Sequence, residues 1–213
     1  MRNSGIKRMV LLAMLAAVAY LIVSVVRIPV VLFLSYEPKD VIITIGGFLL
    51  GPMASFVISF VVSLLEMVTI SQTGPIGALM NLVSTCTFAC TAAFVYKKRH
   101  TLSGAVLGLA AGSVTMVGAM LLWNWLITPL YMGVSREAVE GLLIPAFLPF
   151  NLLKAGLNSA FVLLLYKPLV NALRRTGLVQ MKTGGSVKVG IYLLGGALLV
   201  TCVLLLLTFR GIL

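Results

Sequence analysis

The sequence predicts an all-α integral membrane protein, a bundle of six membrane helices followed by a seventh at the C-terminus. Three observations carry this prediction. Of 213 residues, 61% are apolar and only 10% are charged, and the mean hydropathy of +1.14 lies far above that of a soluble domain. The apolar runs are each about the 20 residues that a helix needs to cross a bilayer. The charges gather in the breaks between those runs. A large aqueous catalytic domain is therefore excluded. The net charge of +11 would point to nucleic acid in a soluble protein, but bases in short connections are what a membrane protein carries, so the partner implied is the lipid bilayer.

Met9 to Val26 is an uncharged run of 18 residues behind Arg2, Lys7 and Arg8 and forms the first predicted helix. Arg27 to Asp40, with two prolines and four charges, reads as an exposed loop. Val41 to Tyr96 then holds a single charge, Glu66, in 56 residues, enough for nearly three helices with little loop. Gly51-Pro52 separates a short second helix, 41–50, from a third, 53–70, and the Gly-Pro pair in Ser71 to Gly77 separates the third from the fourth. The second helix is too short to span alone, so it must extend back through Asp40 or lie against its neighbours. Lys97-Lys98-Arg99-His100 ends the fourth helix. The fifth, 103–131, has a first half rich in Gly104, Gly108 and Gly112, which suits close helix packing. Met132 to Ile144 reads as a second exposed loop, and the sixth helix covers 145–170. Arg174, Arg175, Lys182 and Lys188 precede the seventh apolar run, Val189 to Phe209.

Placing the N-terminus inside and alternating puts Arg2, Lys7, Arg8, Lys97, Lys98, Arg99, Lys167, Arg174, Arg175, Lys182 and Lys188 on the inner side, 11 of the 16 bases. The other five bases and all five acids fall outside. The positive-inside rule therefore predicts a cytoplasmic N-terminus and, after seven spans of a cell-membrane protein, an external C-terminus.

An ionisable group within a membrane helix is expensive and is by default a candidate for function. Glu66 and Lys154 qualify, both toward the outer half; they either pair with each other or serve a ligand. Asn151, three residues before Lys154, shares its helix face. Asn81, Asn124, Trp123 and Tyr131 lie at similar predicted depth. Buried amides offer donors and acceptors together, which suits a flat heterocycle with alternating carbonyl and N–H groups, and aromatic rings beside them can stack on it. Motifs of catalysis are missing: there is no phosphate-binding glycine loop, no Ser-His-Asp set, and His100 is the sole histidine. The chain reads as a non-enzyme without a catalytic cofactor.

Four stretches carry a family resemblance: Tyr36 to Pro52 (Y-E-P-K-D-V-I-I-T-I-G-G-F-L-L-G-P), Thr73 to Asn81 (T-G-P-I-G-A-L-M-N), Asn124 to Tyr131 (N-W-L-I-T-P-L-Y) and Pro149 to Lys154 (P-F-N-L-L-K). Over residues 6–176 the chain resembles the substrate-binding S component of energy-coupling factor (ECF) vitamin transporters, and within it the riboflavin-specific branch. The resemblance implies a six-helix vitamin-binding domain over 1–176, after which the charges and the last apolar run predict a basic cytoplasmic connection over 177–188 and an added membrane helix over 189–213. The resemblance also implies riboflavin as substrate, bound by Asn151, Lys154 and Asn124, with Asn81 and Glu66 as weaker correspondences. It also implies that ATP is hydrolysed by two ATPase subunits, and that a membrane coupling protein docks on the small-residue strip Ala13 and Ala17. The seventh helix has no counterpart in that family. Another vitamin, such as folate, pantothenate or a modified nucleobase, and a purely structural membrane protein remain the alternatives.

Overall fold

The computed structural model describes residues 2–70, 73–175 and 189–209. Helix α1, Arg2–Val25, leads into a β-hairpin, β1 Ile28–Val31 and β2 Leu34–Tyr36. The strands pair antiparallel with Ile28 opposite Tyr36, and a register irregularity falls between Pro29 and Val31. This corrects the expectation of an exposed loop over 27–40: Tyr36, Glu37, Lys39 and Asp40 are all buried. The run I-P-V-V-L-F-L-S-Y is rich in branched and aromatic residues, which favour extended backbone.

Helices α2, Lys39–Leu50, and α3, Pro52–Thr69, are divided by Gly51. Gly51 has φ +95°, a conformation that glycine reaches without strain, and Pro52 suits the first helical turn that follows. Helix α2 resolves its own shortness in both of the expected ways. It starts at Lys39, within the supposed loop, and every residue from Lys39 to Phe48 is buried among neighbours. It packs on α1, on α3, on α4 (Gly74–Arg99) and on α8 (Leu148–Arg175), so it forms the axis of the bundle.

Helix α5, Leu102–Leu126, opens with Thr101 as its cap, the hydroxyl accepting from Gly104 N at 3.1 Å. It lies closely along α4. A methyl group on Gly108 or Gly112 would come within 2.6 Å of the carbonyl oxygens of Ala92 and Phe88, so these glycines are required by the helix contact itself. The predicted fifth helix breaks near Ile127, and α6, Thr128–Met132, restarts from Pro129. The second predicted loop is exposed over 132–138 as expected, but it is helical in part: Ser135 caps α7, Arg136–Leu142, whose Val139 is fully buried. A π-helical turn, Leu143–Phe147, joins α7 to α8. Helix α9, Val189–Phe209, packs on α8.

Five of these helices are long and apolar enough to cross a bilayer, while the apolar stretch described in α9, Tyr192–Thr208, is shorter. The two ends of the bundle differ in charge. At one end Tyr20 Oη donates to Thr69 Oγ1 and Arg27 to Ile70 O, tying α1 and α3 to the hairpin region. At the other, Arg8 donates to Leu50 O, Phe48 stacks on Tyr96 at 4.4 Å, and the Tyr96 and Tyr166 hydroxyls lie 3.0 Å apart. Lys97, Lys98 and Arg99 end α4 at this second end.

Candidate functional site

The hairpin end holds a cavity that opens to the surface, its space amounting to about 820 Å³ when the solvent in its mouth is included. Four of the residues singled out by sequence line it: Asn81 of α4, Asn124 of α5, and Asn151 and Lys154 of α8. The hairpin side contributes Phe33, Leu34, Ser35 and Glu37, and Arg27, Met80, Ser84, Met120 and Phe150 complete much of the wall.

Local structure sets each amide. The π-helical turn ends at Phe147, whose carbonyl accepts from Asn151 Nδ2 at 2.8 Å, so the irregular turn orients the first polar residue of α8. Asn124 Nδ2 donates to Met120 O at 2.8 Å, and its carbonyl accepts from Thr128 Oγ1 at 2.9 Å. Asn124, Asn151 and Lys154 are all buried. In each case the amide's N–H is anchored to its own helix, fixing the rotamer.

Lys154 is held by Asp40, with Nζ to Oδ2 at 3.2 Å, and donates to Ser84 Oγ at 3.3 Å. An ammonium has three donors, so one remains for the cavity. Asp40 is fully buried and also accepts from Thr85 Oγ1 at 2.7 Å and Asn158 Nδ2 at 3.3 Å. Glu66 does not pair with Lys154. It takes two bonds from Lys39 Nζ, at 2.5 and 2.6 Å, and one from Asn81 Nδ2 at 3.2 Å. Lys39 also meets Glu37 at 2.6 Å, and Glu37 meets Arg27 Nε at 3.0 Å. Three bases (Arg27, Lys39, Lys154) thus neutralise three acids (Glu37, Asp40, Glu66), which is how so many charges are tolerated in a membrane bundle. Glu66 supports the wall through Asn81 rather than lining it.

Trp123 is half-buried and packs on the main core. Tyr131 is 37% exposed, its ring edge-on to Phe33 at 6.0 Å. Neither lines the cavity. Sequence reasoning missed Arg27, Glu37, Lys39, Asp40, Ser84 and Asn158. For Asn158 a signal existed, since 151, 154 and 158 form one helical stripe. Tyr36 Oη and Asn158 Oδ1 are buried without a hydrogen-bond partner among the described residues. Burial above all, then the Asp40 carboxylate and Cys202, pushes the Tyr36 hydroxyl far above the ordinary tyrosine range and keeps it neutral. Ala13 and Ala17 both lie exposed on α1, outside the bundle interior.

Comparison with known proteins agrees with this architecture. The chain is 26% identical over 178 residues to a riboflavin transporter, RibU, of Staphylococcus aureus, covering 79% of this chain and 93% of the relative. It is 30% identical over 181 residues to the riboflavin transporter RibU of Lactococcus lactis, covering 80% and 87%. The solved S component of a bacterial ECF transporter superposes with a TM-score of 0.66 at 28% identity, over 82% of this chain and all of that one. The family model for the substrate-specific component of ECF transporters matches residues 7–166. That match spans 160 of the 213 residues, and this multi-pass membrane protein, a transporter component rather than an enzyme, belongs to the ECF transporter substrate-specific component family.

Proposed function

We propose that the chain is the riboflavin-binding subunit of an ATP-driven ECF uptake transporter. The observation that carries the reading is the cavity itself, where Asn81, Asn124, Asn151 and Lys154 converge from three helices at one end of the bundle. The pyrimidine edge of a flavin presents C=O and N–H groups in alternation. Lys154 supplies an N–H to a carbonyl, and the Asn151 carbonyl accepts from the ring N–H. Met80, Met120, Phe33 and Phe150 line the same wall and suit the faces of a flat heterocycle. The names carried by the curated relatives support flavin over other vitamins.

The ligand enters from the hairpin end, which faces outward if Lys97–Arg99 and the N-terminus are cytoplasmic. With no phosphate-binding loop of its own, the chain depends on a membrane coupling protein and two ATPase subunits for energy. The exposed pair Ala13 and Ala17 is the strip on which the coupling protein docks. The test is spectroscopic. Protein purified from flavin-replete cells should be yellow, and titration of flavin-free protein should quench riboflavin fluorescence to saturation at one equivalent; colourless protein and no saturable quenching would refute the assignment.

A further inference from the structure

Helix α9 begins 23 residues beyond the end of the family match at 166, yet it is built into the structure around the cavity. Helix α8 has two opposed stripes. Asn151, Lys154 and Asn158 form the polar one. On the other side Leu153, Gly156, Leu157, Ala160 and Leu164 follow helical spacing, and α9 lies there: Cys202 Sγ would sit 2.6 Å from a methyl on Gly156, and Gly195 abuts Leu164 and the Ala160 carbonyl.

The contact extends past α8. Cys202, the buried residue in the second half of α9, belongs to one apolar cluster with Leu153, Leu157 and Tyr36. Leu198, Leu199 and Leu206 of α9 pack on this cluster together with Ile28 and Val30 of β1. Tyr36 ends β2, and the next residue, Glu37, lines the cavity and is tied to Arg27 and Lys39. The hairpin is therefore held from two sides. Leu34 is buried with Val139, Phe147 and Phe150, while Tyr36 is buried between α8 and α9.

We infer that α9 is a brace for the binding site: by packing Cys202 and its leucines under Tyr36 and β1, it holds the hairpin against α8 and sets how long a bound ligand stays. A two-stranded hairpin is marginal by itself, so its order must come from what it packs on. Weakening the α9 side frees the wall carrying Phe33 to Glu37 without touching Asn151 or Lys154. The effect falls on release more than on capture, as is usual for changes at one interface. The lifetime part of this inference rests on the flavin reading; the mechanical part does not.

The experiment uses the full chain in detergent or nanodiscs, as Gly156→Ala, which displaces Cys202, and as Leu198→Ala/Leu199→Ala. Val200→Ala/Leu204→Ala, on the exposed side of α9, is the control. Hydrogen–deuterium exchange without ligand should be at least threefold faster over residues 28–36 in both brace variants, with α4 and α5 unchanged and the control like wild type. Stopped-flow fluorescence should show riboflavin leaving about three- to tenfold faster from the brace variants, with association altered less than twofold. Unchanged hairpin exchange in both brace variants, or an equal effect of the control, overturns the brace. If wild type binds no riboflavin while the exchange result holds, the flavin reading fails and the brace stands.

Discussion

Replacing Asp40 with asparagine gives the sharpest test of how the site is held. The carboxylate is fully buried and lies 3.2 Å from Lys154 Nζ. With an effective dielectric near 20, two unit charges at that distance attract by about 5 kcal/mol. Removing one partner of a buried pair strands the other and costs about 3–5 kcal/mol. Thr85 and Asn158 would lose a charged acceptor as well. Asp40→Asn should therefore lower the melting temperature of detergent-solubilised protein by on the order of 10 °C, and it should weaken flavin binding because Lys154 is no longer positioned. Lys154→Met strands the fully buried Asp40 carboxylate in turn, left with its bonds from Thr85 and Asn158, so its stability loss should be similar, about 3–5 kcal/mol. The double variant removes both charges and should regain most of the melting temperature while remaining deficient in binding. A double variant that binds like wild type would show that Lys154 is only a counter-ion. A single Asp40→Asn variant that melts with wild type would refute the energetic argument itself.

Asn151→Ala and Lys154→Ala should each weaken riboflavin binding roughly ten- to a hundredfold, the loss of one buried hydrogen bond of about 1–3 kcal/mol, with membrane insertion intact by fractionation; unchanged titration curves for both would remove them from the site. Ala13→Leu/Ala17→Leu adds bulk to an exposed strip of α1, so flavin binding by the isolated chain should persist while co-purification with the coupling module and ATP-dependent uptake fall; normal uptake would exclude the strip as the docking face. A reporter fused after Lys182 should read cytoplasmic and one after Leu213 external, and identical readings would mean that α9 does not cross.

The helices were legible because apolar runs and Gly-Pro breaks are local signals, and the helix starts at Pro52 and Gly74 follow those breaks closely. What escaped was the role of Y-E-P-K-D. Charges beside proline ordinarily mark water-exposed loop, and only tertiary structure reveals that Glu37, Lys39 and Asp40 each have an opposite charge waiting. The shortness of α2 was the available clue. Glu66 and Lys154 looked like mutual partners because no other charged group lay in the outer half of a predicted span; Lys39 and Asp40, at the first turn of α2, reach them separately. Trp123, Asn124 and Trp125 are adjacent in sequence, but successive residues turn by about 100°, so only Asn124 of the three lines the cavity. Trp125 instead meets Glu140 at 2.8 Å on the outer surface of the short α7.

The brevity of α2 has an electrical consequence. Its 12 residues make a rod of about 18 Å, at 1.5 Å per residue, set in a hydrocarbon layer about 30 Å thick. The cavity occupies the end that this central rod leaves unfilled, and water entering it carries the conducting phase inward as far as the Asp40–Lys154 pair. A transmembrane voltage would then drop mainly across α2 and the Tyr96 and Tyr166 rings that pack on its Phe48. On the proposed function, a ligand held by Lys154 would be at nearly the potential of the solution it came from, and a charge carried into the cavity would do little work against the membrane field.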